Sequence, residues 1–345
     1  MVDARPSLML ALGLLVACCG HGPEVHASIQ EPRHAMAEAE SVILVTLDGV
    51  RWQEIFRGAD PALADAASLP RGVARTARGM TPNLHRLFFD DGTVLGDPDL
   101  GDPFEASGPN FVSLPGYVEI MTGAVSGCLG NDCAPNIGWA IAGSVAGAWA
   151  PDPSAAVFAS WETIARAVPA SAAGLAVHAG RGPGEDEPPY PGNDDYRPDQ
   201  RTAAMAIDHL VHHRPRFLWL ALGDTDEWAH RHDYRGYVEA LRFADGVVGE
   251  IAAHLAEMGE RGARTVLVVT TDHGRDADFA DHGGQASAGV WLMARGGPIA
   301  KHGAAPLARV RHLRDIAPTL AEILGVPGPD GAQGRARGEV LDELF

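Results

Sequence analysis

Acidic residues and histidines recur in this chain directly after apolar runs, where they could bind a divalent cation. Carboxylate oxygens and imidazole nitrogens without thiolates are typical ligands of zinc and, less often, of other divalent ions. A single Asp at the end of a strand is more often a turn former, so the prediction rests on the joint pattern. Its members are Asp48 in VTLDGVR, Asp226 and His230 in DTDEWAH, Asp272 and His273 in TTDHG, and His282 in DHGG.

The number of these side chains indicates two ions rather than one. Six ligands exceed what one tetrahedral zinc ion takes, and two ions about 4 Å apart can share a substrate oxygen. Asp226 and His230 are four residues apart, which places both on one face if that segment turns helically. His232 falls on another face, and His302 lacks the Asp-His-Gly setting of His282. We therefore favour His230 and His282 as ligands.

Ser113, in NFVSLPGY, is the candidate nucleophile. Pro115 lies where the first turn of a helix tolerates proline, so Ser113 is predicted to begin a helix. The dipole and the free N–H groups at that position favour an anion. A serine hydroxyl is a weak nucleophile, and coordination to a dication favours its alkoxide. The alternative is a plain helix cap, which the local sequence leaves equally open.

Strand-like and helix-like segments alternate along the chain, and this order predicts how the candidate residues are positioned. Such alternation is typical of a mostly parallel sheet with helices on both faces, where ligands bind beyond the carboxyl ends of the strands. We therefore predict an α/β three-layer sandwich in a single domain over residues 41–345. The predicted strands are 41–48, 174–180, 216–222, 264–274 and 288–297, the predicted helices are 81–92, 111–123, 201–213, 236–258 and 313–326, and the predicted loops include 184–199 and 223–226.

The composition is that of a folded, acidic protein. The 345 residues include 45 acidic and 27 basic side chains, which give a formal net charge of −18. This balance argues against a broad nucleic-acid surface and against binding to an anionic membrane through protein charge alone. A small anionic substrate is compatible with it, because bound cations can dominate the local field.

The N-terminal segment has the pattern of an export signal. Residues 1–17 contain an apolar stretch of about ten residues, which is too short for a membrane-spanning helix but suits a secretory signal. The segment LVAC (15–18) resembles a bacterial lipobox, which predicts a lipid anchor on Cys18; the alternative is an ordinary signal peptide cut after Ala27. Residues 18–40 are then a flexible tether, and the protein is expected in the periplasm or at the cell surface.

Cys128 and Cys133 lie close together in SGCLGNDCAPN. An exported protein can hold disulfides, so we predict that these two cysteines pair and close a short loop. A two-thiolate metal site is the alternative, and apart from Cys18 and Cys19 at the N-terminus the sequence has no second pair of cysteines for it.

Taken together, these motifs resemble the alkaline phosphatase superfamily, in particular its nucleotide pyrophosphatase/phosphodiesterase and sulfatase-like branch. The resemblance covers the chain from about Ser41 to Gly338 and implies a parallel sheet between helices. It rests on the segments ILVTLDGVR, VSLPGYVEIMTG, DTDEWAH, TTDHG, DHGG and DIAPTLAEILGVP.

The resemblance also implies a role for each candidate residue. The implied ion-binding sets are Asp48, Asp272 and His273 with the Ser113 hydroxyl for one ion, and Asp226, His230 and His282 for the other. An asparagine after the nucleophile helix commonly helps to hold the phosphoryl oxygens in this family. We favour Asn131, inside the cysteine loop, over Asn136 and Asn110.

Departures from the family pattern narrow the implied activity. Many diesterases of the family carry Thr with a following Asn-His, where this chain has Ser113 with Gly116-Tyr117, so nucleotide specificity is not implied. Sulfatases need Cys or Ser followed by x-Pro-x-Arg for conversion to formylglycine, and Tyr117 stands in place of that Arg. Cofactor-independent phosphoglycerate mutases insert a large domain after their Ser, and the stretch from Ser113 to Asp226 is too short for one.

We therefore predict a hydrolase of small phosphate esters, mono- or diester, that uses two divalent ions, with zinc favoured, and a phosphoserine intermediate on Ser113. The alternatives are a sulfatase-like sulfuric ester hydrolase and a catalytically decayed metal-binding surface lipoprotein. Substrate contacts could come from two arginines and three aromatic residues, although each is more often structural. They are Arg51, Arg181, Trp52, Trp139 and Tyr190.

Overall fold

The computed structural model of the chain describes residues 39–70, 75–136, 138–182, 195–277, 279–329 and 337–345. These residues form one compact unit around a central sheet. Cys18, Tyr190 and the predicted signal peptide lie outside them, so the proposed boundaries at residues 17 and 40 stay predictions. Across the described parts of the chain, no helix combines the length and apolar character that a membrane span requires.

The described residues contain ten strands, and eight of them form the central sheet in the order β5-β4-β6-β1-β7-β8-β2-β9. The strands are β1 (Ser41–Leu47), β2 (Thr93–Leu95), β3 (Phe104–Glu105), β4 (Ala155–Ala159), β5 (Leu175–Ala179), β6 (Phe217–Leu222), β7 (Thr265–Thr270), β8 (Leu292–Arg295), β9 (Gly303–Ala304) and β10 (Arg311–His312). Within the central sheet only β8 runs antiparallel to its neighbours. The prediction of a mostly parallel α/β sheet is confirmed.

Helices lie on both faces of this sheet. They are α1 (Trp52–Phe56), α2 (Pro61–Ala66), α3 (Ala77–Met80), α4 (Pro82–Leu84), continued by a π-helical turn (His85–Phe89), α5 (Ser113–Thr122), α6 (Ile141–Ala148), α7 (Asp199–His213), α8 (Asp224–His230), α9 (Tyr234–Glu257), α10 (Glu260–Ala263) and α11 (Ile316–Leu324), with 3₁₀ turns at Glu162–Ala167, Gln285–Ala288, Leu313–Asp315 and Asp342–Leu344. The predicted helices at 111–123, 201–213 and 236–258 correspond to α5, α7 and α9.

The apolar run of β1 is explained by burial on two sides. Val42 and Leu44 pack in the core that includes α5, α6 and α11, whereas Ile43 and Val45 pack in the core that includes α7 and α9. Because successive side chains of a strand point to opposite faces, a strand covered on both faces must be apolar throughout. The carboxyl end of β1 is therefore where the first polar side chain can appear.

Two features depart from the sequence prediction. The strand β4 was not predicted, because alanine is a poor strand former and three of its five residues are Ala; its burial between β5 and β6 overrides that preference. The loop predicted at 223–226 is wrong, because α8 begins at Asp224. A remote side chain stabilises this helix start: the Asp199 carboxylate accepts hydrogen bonds from the N–H groups of Gly223 and Asp224, at 2.8 and 2.9 Å.

Candidate metal centre and nucleophile

Three neighbouring strands bring the predicted ligands to one edge of the sheet. The strand β1 lies between β6 and β7, and its Thr46 is level with Ala221 and Thr270. Asp48 and Asp272 each come two residues after these register positions, so they emerge side by side. The helix α8 starts directly after β6 and carries the next pair of ligands to the same edge.

The first ligand group consists of Asp48, Asp272 and His273, and Ser113 lies against it. The Nε2 atom of His273 is 3.3 Å from Asp48 Oδ1 and 3.4 Å from Asp272 Oδ2. The Oγ atom of Ser113 is 3.3 Å from Asp48 Oδ1 and 3.3 Å from His273 Nε2. Ligand atoms about 2.0–2.1 Å from a tetrahedral ion lie about 3.3–3.4 Å from one another, so these four separations match those of a zinc-type site.

The second ligand group consists of Asp226, His230 and His282. The Nε2 atom of His230 is 3.1 Å from Asp226 Oδ2 and 3.1 Å from His282 Nε2, and His282 Nε2 is 3.9 Å from Asp226 Oδ1. The His230 side chain is 42% exposed, so this group opens towards solvent. His273 lies between the groups: its ring stacks on that of His282 at 4.0 Å, and it is close enough to join either set.

The buried oxygen Oδ2 of Asp272 indicates that a cation belongs here. It has no hydrogen-bond partner in the structure and faces His273 Nε2. An unpaired buried carboxylate oxygen costs free energy, and a divalent cation held between Asp272, His273 and Asp48 removes that cost. All donor atoms of both groups are oxygen or nitrogen. The residues therefore fit the divalent ions that the sequence resemblance implies.

The pKa values of the three carboxylates are shifted in opposite directions. Burial, followed by the negative charge of Asp226, raises the pKa of Asp48 to about 7. Burial and the charge of Asp48 raise the pKa of Asp272 well above its ordinary value. Burial acts in the same direction on Asp226, but the guanidinium of Arg275 and the contacts with His230 and His282 together outweigh it and hold the pKa of that carboxyl well below its ordinary value. The buried guanidinium of Arg275 thus serves the second group.

The two buried histidines, His273 and His282, are in the neutral form that can bind a metal ion. Burial lowers the pKa of both His273 and His282 to about 4, so both rings are neutral at pH 7. The Nδ1–H of His273 donates to the carbonyl of Gly274 at 2.7 Å, and that of His282 donates to the carbonyl of Phe111 at 2.9 Å. Since a carbonyl can only accept, each ring presents the lone pair of Nε2 to the site.

Two glycines allow the helix and the strand ends to approach so closely. Gly49 has a φ of +61°, and a Cβ at this position would lie 2.6 Å from both Arg275 Nη1 and Asp226 Oδ1. Gly116, on α5, would place a Cβ 2.4 Å from the carbonyl oxygen of Asp272. A larger residue at Gly116 would push α5 away from Asp272, and one at Gly49 would displace Arg275 or Asp226.

Asn131 reaches the first turn of α5 from the loop that the predicted disulfide closes, and this Cys128–Cys133 disulfide is present. The Oδ1 atom of Asn131 accepts a hydrogen bond from the N–H of Leu114 at 3.0 Å. This contact lies next to Ser113 in the chain and leaves the amide nitrogen as the donor end of the side chain. The structure therefore brings Asn131 beside the candidate nucleophile.

The other asparagines and Arg51 have structural partners. Asn110 and Asn136 each donate to a backbone carbonyl, at 2.8 and 3.2 Å. Arg51 forms a buried ion pair with Glu54. These contacts account for the three side chains without a substrate.

Two residues that contact the ligand carboxylates were not identified from the sequence. The hydroxyl of Tyr117 donates to Asp48 Oδ2 at 2.9 Å, and Arg275 donates to Asp226 Oδ1; both side chains are buried. A usable signal existed for each. Tyr117 follows Ser113 by four residues and so shares its helix face. Arg275 directly follows TTDHG, and a buried Arg requires an acidic partner.

The chain is similar to known metalloenzymes in sequence and in fold. Residues 194–328 match the model of the Metalloenzyme superfamily. A 2,3-bisphosphoglycerate-independent phosphoglycerate mutase of Thermomicrobium roseum is 27% identical over 177 residues, which are 44% of this chain and 32% of the relative. A phosphopentomutase of Symbiobacterium thermophilum is 35% identical over 121 residues, 34% of this chain and 28% of the relative. The matched segments thus span less than a third of these curated relatives.

Solved structures extend the similarity to nearly the whole chain. A 2-O GAG sulfatase superposes with a TM-score of 0.59 at 13% identity, covering 88% of this chain and 73% of the other. The phosphonate monoester hydrolase of Agrobacterium radiobacter gives 0.56 at 14%, covering 88% and 76%. An alkaline phosphatase superfamily protein from Vibrio parahaemolyticus gives 0.55 at 13%, covering 89% and 70%. The predicted resemblance to the alkaline phosphatase superfamily is confirmed, and the fold is of that type.

Proposed function

We propose that the protein is a two-metal hydrolase of small phosphate esters and that Ser113 is its nucleophile. The observation that carries the proposal is the position of Ser113 Oγ, 3.3 Å from a carboxylate and 3.3 Å from an imidazole of the first ligand group. A hydroxyl at this distance from both ligand atoms can coordinate the ion that they bind, and that ion activates it. Its place in the first turn of α5 adds the favourable end of the helix dipole.

Each ligand group supplies one binding position for a divalent ion. Asp48, Asp272 and His273 hold the first, and Asp226, His230 and His282 hold the second. When bound, such ions act as Lewis acids that lower the pKa of a hydroxyl or water and offset the charge of a phosphoryl group. Zinc is favoured because all six residues offer carboxylate or imidazole atoms, and the separations in the first group match a tetrahedral site.

The reaction proceeds in two displacements at phosphorus. Ser113 Oγ forms a bond to phosphorus as the bond to the ester oxygen breaks, which releases the alcohol, with the serine proton, and leaves a phosphoserine. Water then attacks phosphorus as the bond to Ser113 Oγ breaks, and a proton of that water restores the serine hydroxyl. The product is inorganic phosphate from a monoester, or a phosphate monoester from a diester. The amide nitrogen of Asn131 donates to a phosphoryl oxygen, and the protein otherwise contributes position and charge.

Local charge favours phosphate over sulfate. Three carboxylates and the guanidinium of Arg275 leave the site with a formal charge of −2, which two dications convert to +2. A phosphate monoester carries up to two negative charges, whereas a sulfate monoester carries one. The charge match therefore supports a phosphate monoester. A phosphate diester carries one negative charge, as a sulfate monoester does, so the substrate panel has to distinguish these two.

The test combines the Ser113→Ala variant with a panel of aryl phosphate monoester, phosphate diester, phosphonate and sulfate substrates. We expect turnover of a phosphate ester to fall by about 10⁴-fold or more in this variant, with the metal content retained by elemental analysis. The control is Ser144→Ala, because Ser144 lies on α6 and its hydroxyl donates to a backbone carbonyl. Full activity of Ser113→Ala, or a panel dominated by sulfate, contradicts the proposal.

We further propose that the protein is exported and tethered by a lipid on Cys18. The signal-like residues 1–17 support this, and so does the Cys128–Cys133 disulfide, since disulfides persist in oxidising compartments. Mass spectrometry of the mature N-terminus tests it: a chain that starts at an unmodified residue after Cys18 contradicts the lipid anchor.

A further inference from the structure

The three carboxylates of the metal centre share one arrangement. In each, one oxygen accepts a hydrogen bond from a donor of the protein, and the other oxygen faces a histidine of the site. The three donors are unrelated in chemistry: a phenol, a backbone N–H and a guanidinium. A repeated outcome from three different donors points to a common requirement of the site rather than to local packing.

Tyr117 is the hydrogen-bond donor to Asp48. Its side chain is fully buried, and its hydroxyl donates to Asp48 Oδ2 at 2.9 Å. The other oxygen, Oδ1, lies 3.3 Å from both Ser113 Oγ and His273 Nε2. The ring of Tyr117 packs beside that of Trp219, with centroids 5.6 Å apart, so the hydroxyl is held in place from the core.

The backbone of Gly49 acts on Asp272. Its N–H donates to Asp272 Oδ1 at 3.1 Å, and this leaves Oδ2 buried, without a partner, and 3.4 Å from His273 Nε2. The donor belongs to the residue directly after Asp48. The turn after β1 therefore carries one ligand, Asp48, and orients a second, Asp272.

Arg275 acts on Asp226. Its guanidinium donates to Asp226 Oδ1 and also to the carbonyls of Phe279 and Ala280, so it is fixed on three sides. The remaining oxygen, Asp226 Oδ2, lies 3.1 Å from His230 Nε2. The second ligand group thus follows the same rule as the first.

We propose that these three donors make every carboxylate of the centre a one-oxygen ligand, and that Tyr117 is the positioning residue that presents Oδ1 of Asp48. This inference rests on the proposed metal centre. A hydrogen bond from a fixed donor makes that oxygen a weaker second ligand and opposes rotation of the carboxylate. The arrangement therefore favours binding through the other oxygen, and with it ions of low coordination number such as zinc. Calcium, which takes six to eight oxygens and often both oxygens of a carboxylate, is disfavoured.

The test compares Tyr117→Phe with the wild type by zinc titration against a chromophoric chelator. Removal of one outer hydrogen bond to a ligand is expected to weaken zinc binding at one of the two positions by about 10–100-fold. The same variant should lose much of its preference for zinc over calcium, because Asp48 is then able to rotate. The control is Tyr237→Phe, since Tyr237 is also fully buried and its hydroxyl also contacts a carboxylate, that of Glu54 at 3.3 Å.

A spectroscopic measurement on the unchanged protein keeps the proposal testable if Tyr117→Phe does not fold. X-ray absorption of the zinc-loaded wild type should give about four oxygen and nitrogen ligands near 2.0–2.1 Å, without a carboxylate bound through both oxygens. A two-oxygen carboxylate, or equal zinc affinity of Tyr117→Phe and wild type, overturns this inference alone. Both readouts are independent of turnover, so they stay valid if the protein does not hydrolyse phosphate esters. Absence of zinc binding, in contrast, would contradict both this inference and the proposed function.

Discussion

The two ligand groups differ in what carries them and in how far they are buried. In the first, Asp48 and Asp272 follow two central strands that pair in register, and both are at most 4% exposed. In the second, Asp226 and His230 lie on the seven-residue helix α8, and His282 lies in the segment between β7 and β8. Adjacent strands hold the first group in place, whereas the second depends on a short helix, a connecting segment and the ion pair of Arg275. We infer that the first group holds its ion more tightly.

The largest effect expected from this comparison is on catalysis. Asp272→Asn removes a buried ligand of the first group and should lower kcat/KM for a phosphate ester by about 10⁴-fold, because the nucleophile loses its activating ion. His230→Ala removes an exposed ligand of the second group and should lower kcat/KM by a smaller factor, on the order of 100-fold. Steady-state kinetics with elemental analysis of each variant checks both values.

Elemental analysis also tests whether the two ligand groups hold their ions with different strength. His230→Ala should retain one ion per chain after dialysis against a weak chelator, whereas Asp272→Asn should retain less than one. Equal losses of activity and of metal in the two variants would mean that the groups do not differ in the way their burial indicates.

The next largest effect is on the stability of the metal-free protein. Arg275→Met removes one partner of a buried ion pair and leaves Asp226 without its cation, which should lower the free energy of unfolding by about 3–5 kcal/mol. Arg235→Met breaks an exposed pair with Glu239 and should cost about 0–1 kcal/mol. Denaturant unfolding measures both, and similar losses would show that Arg275 does not support the second group.

The smallest effect concerns the anchoring of the helix that carries Ser113. Burial raises the pKa of Glu119 on α5 from 4.5 to about 7, against hydrogen bonds from Ser107 and Arg314. The folded state therefore holds this proton more tightly than the unfolded state. Its stabilising contribution is complete below about pH 4.5 and is lost as the pH rises through 7, by up to about 3 kcal/mol.

Glu119→Gln removes this titration, so the difference in unfolding free energy between wild type and variant should change between pH 4.5 and 8. Glu239→Gln is the exposed control. Denaturant unfolding over this pH range checks the slope, and a difference that is constant with pH would contradict it.

The sequence predicted the helix at Ser113 and the strand before Asp48, because both depend on short-range patterns. The apolar run of β1 and the turn residues around Pro115 need no distant partner to be recognised. The strand β4 could not be predicted in this way, since its alanines form a strand only because β5 and β6 cover its edges. The start of α8 was missed for the same reason: Asp199, which stabilises it, lies 25 residues away.

The sequence by itself determined which side chains can bind a cation and in what order they occur, because residue type fixes donor chemistry and an apolar run fixes where a strand ends. Only the tertiary structure decided which oxygen of each carboxylate faces the site. That choice depends on Tyr117, Gly49 and Arg275, whose contacts with the ligands span from 49 to 223 residues of chain. A hydrogen bond over such a separation follows from the register and packing of the folded sheet, which no local pattern encodes.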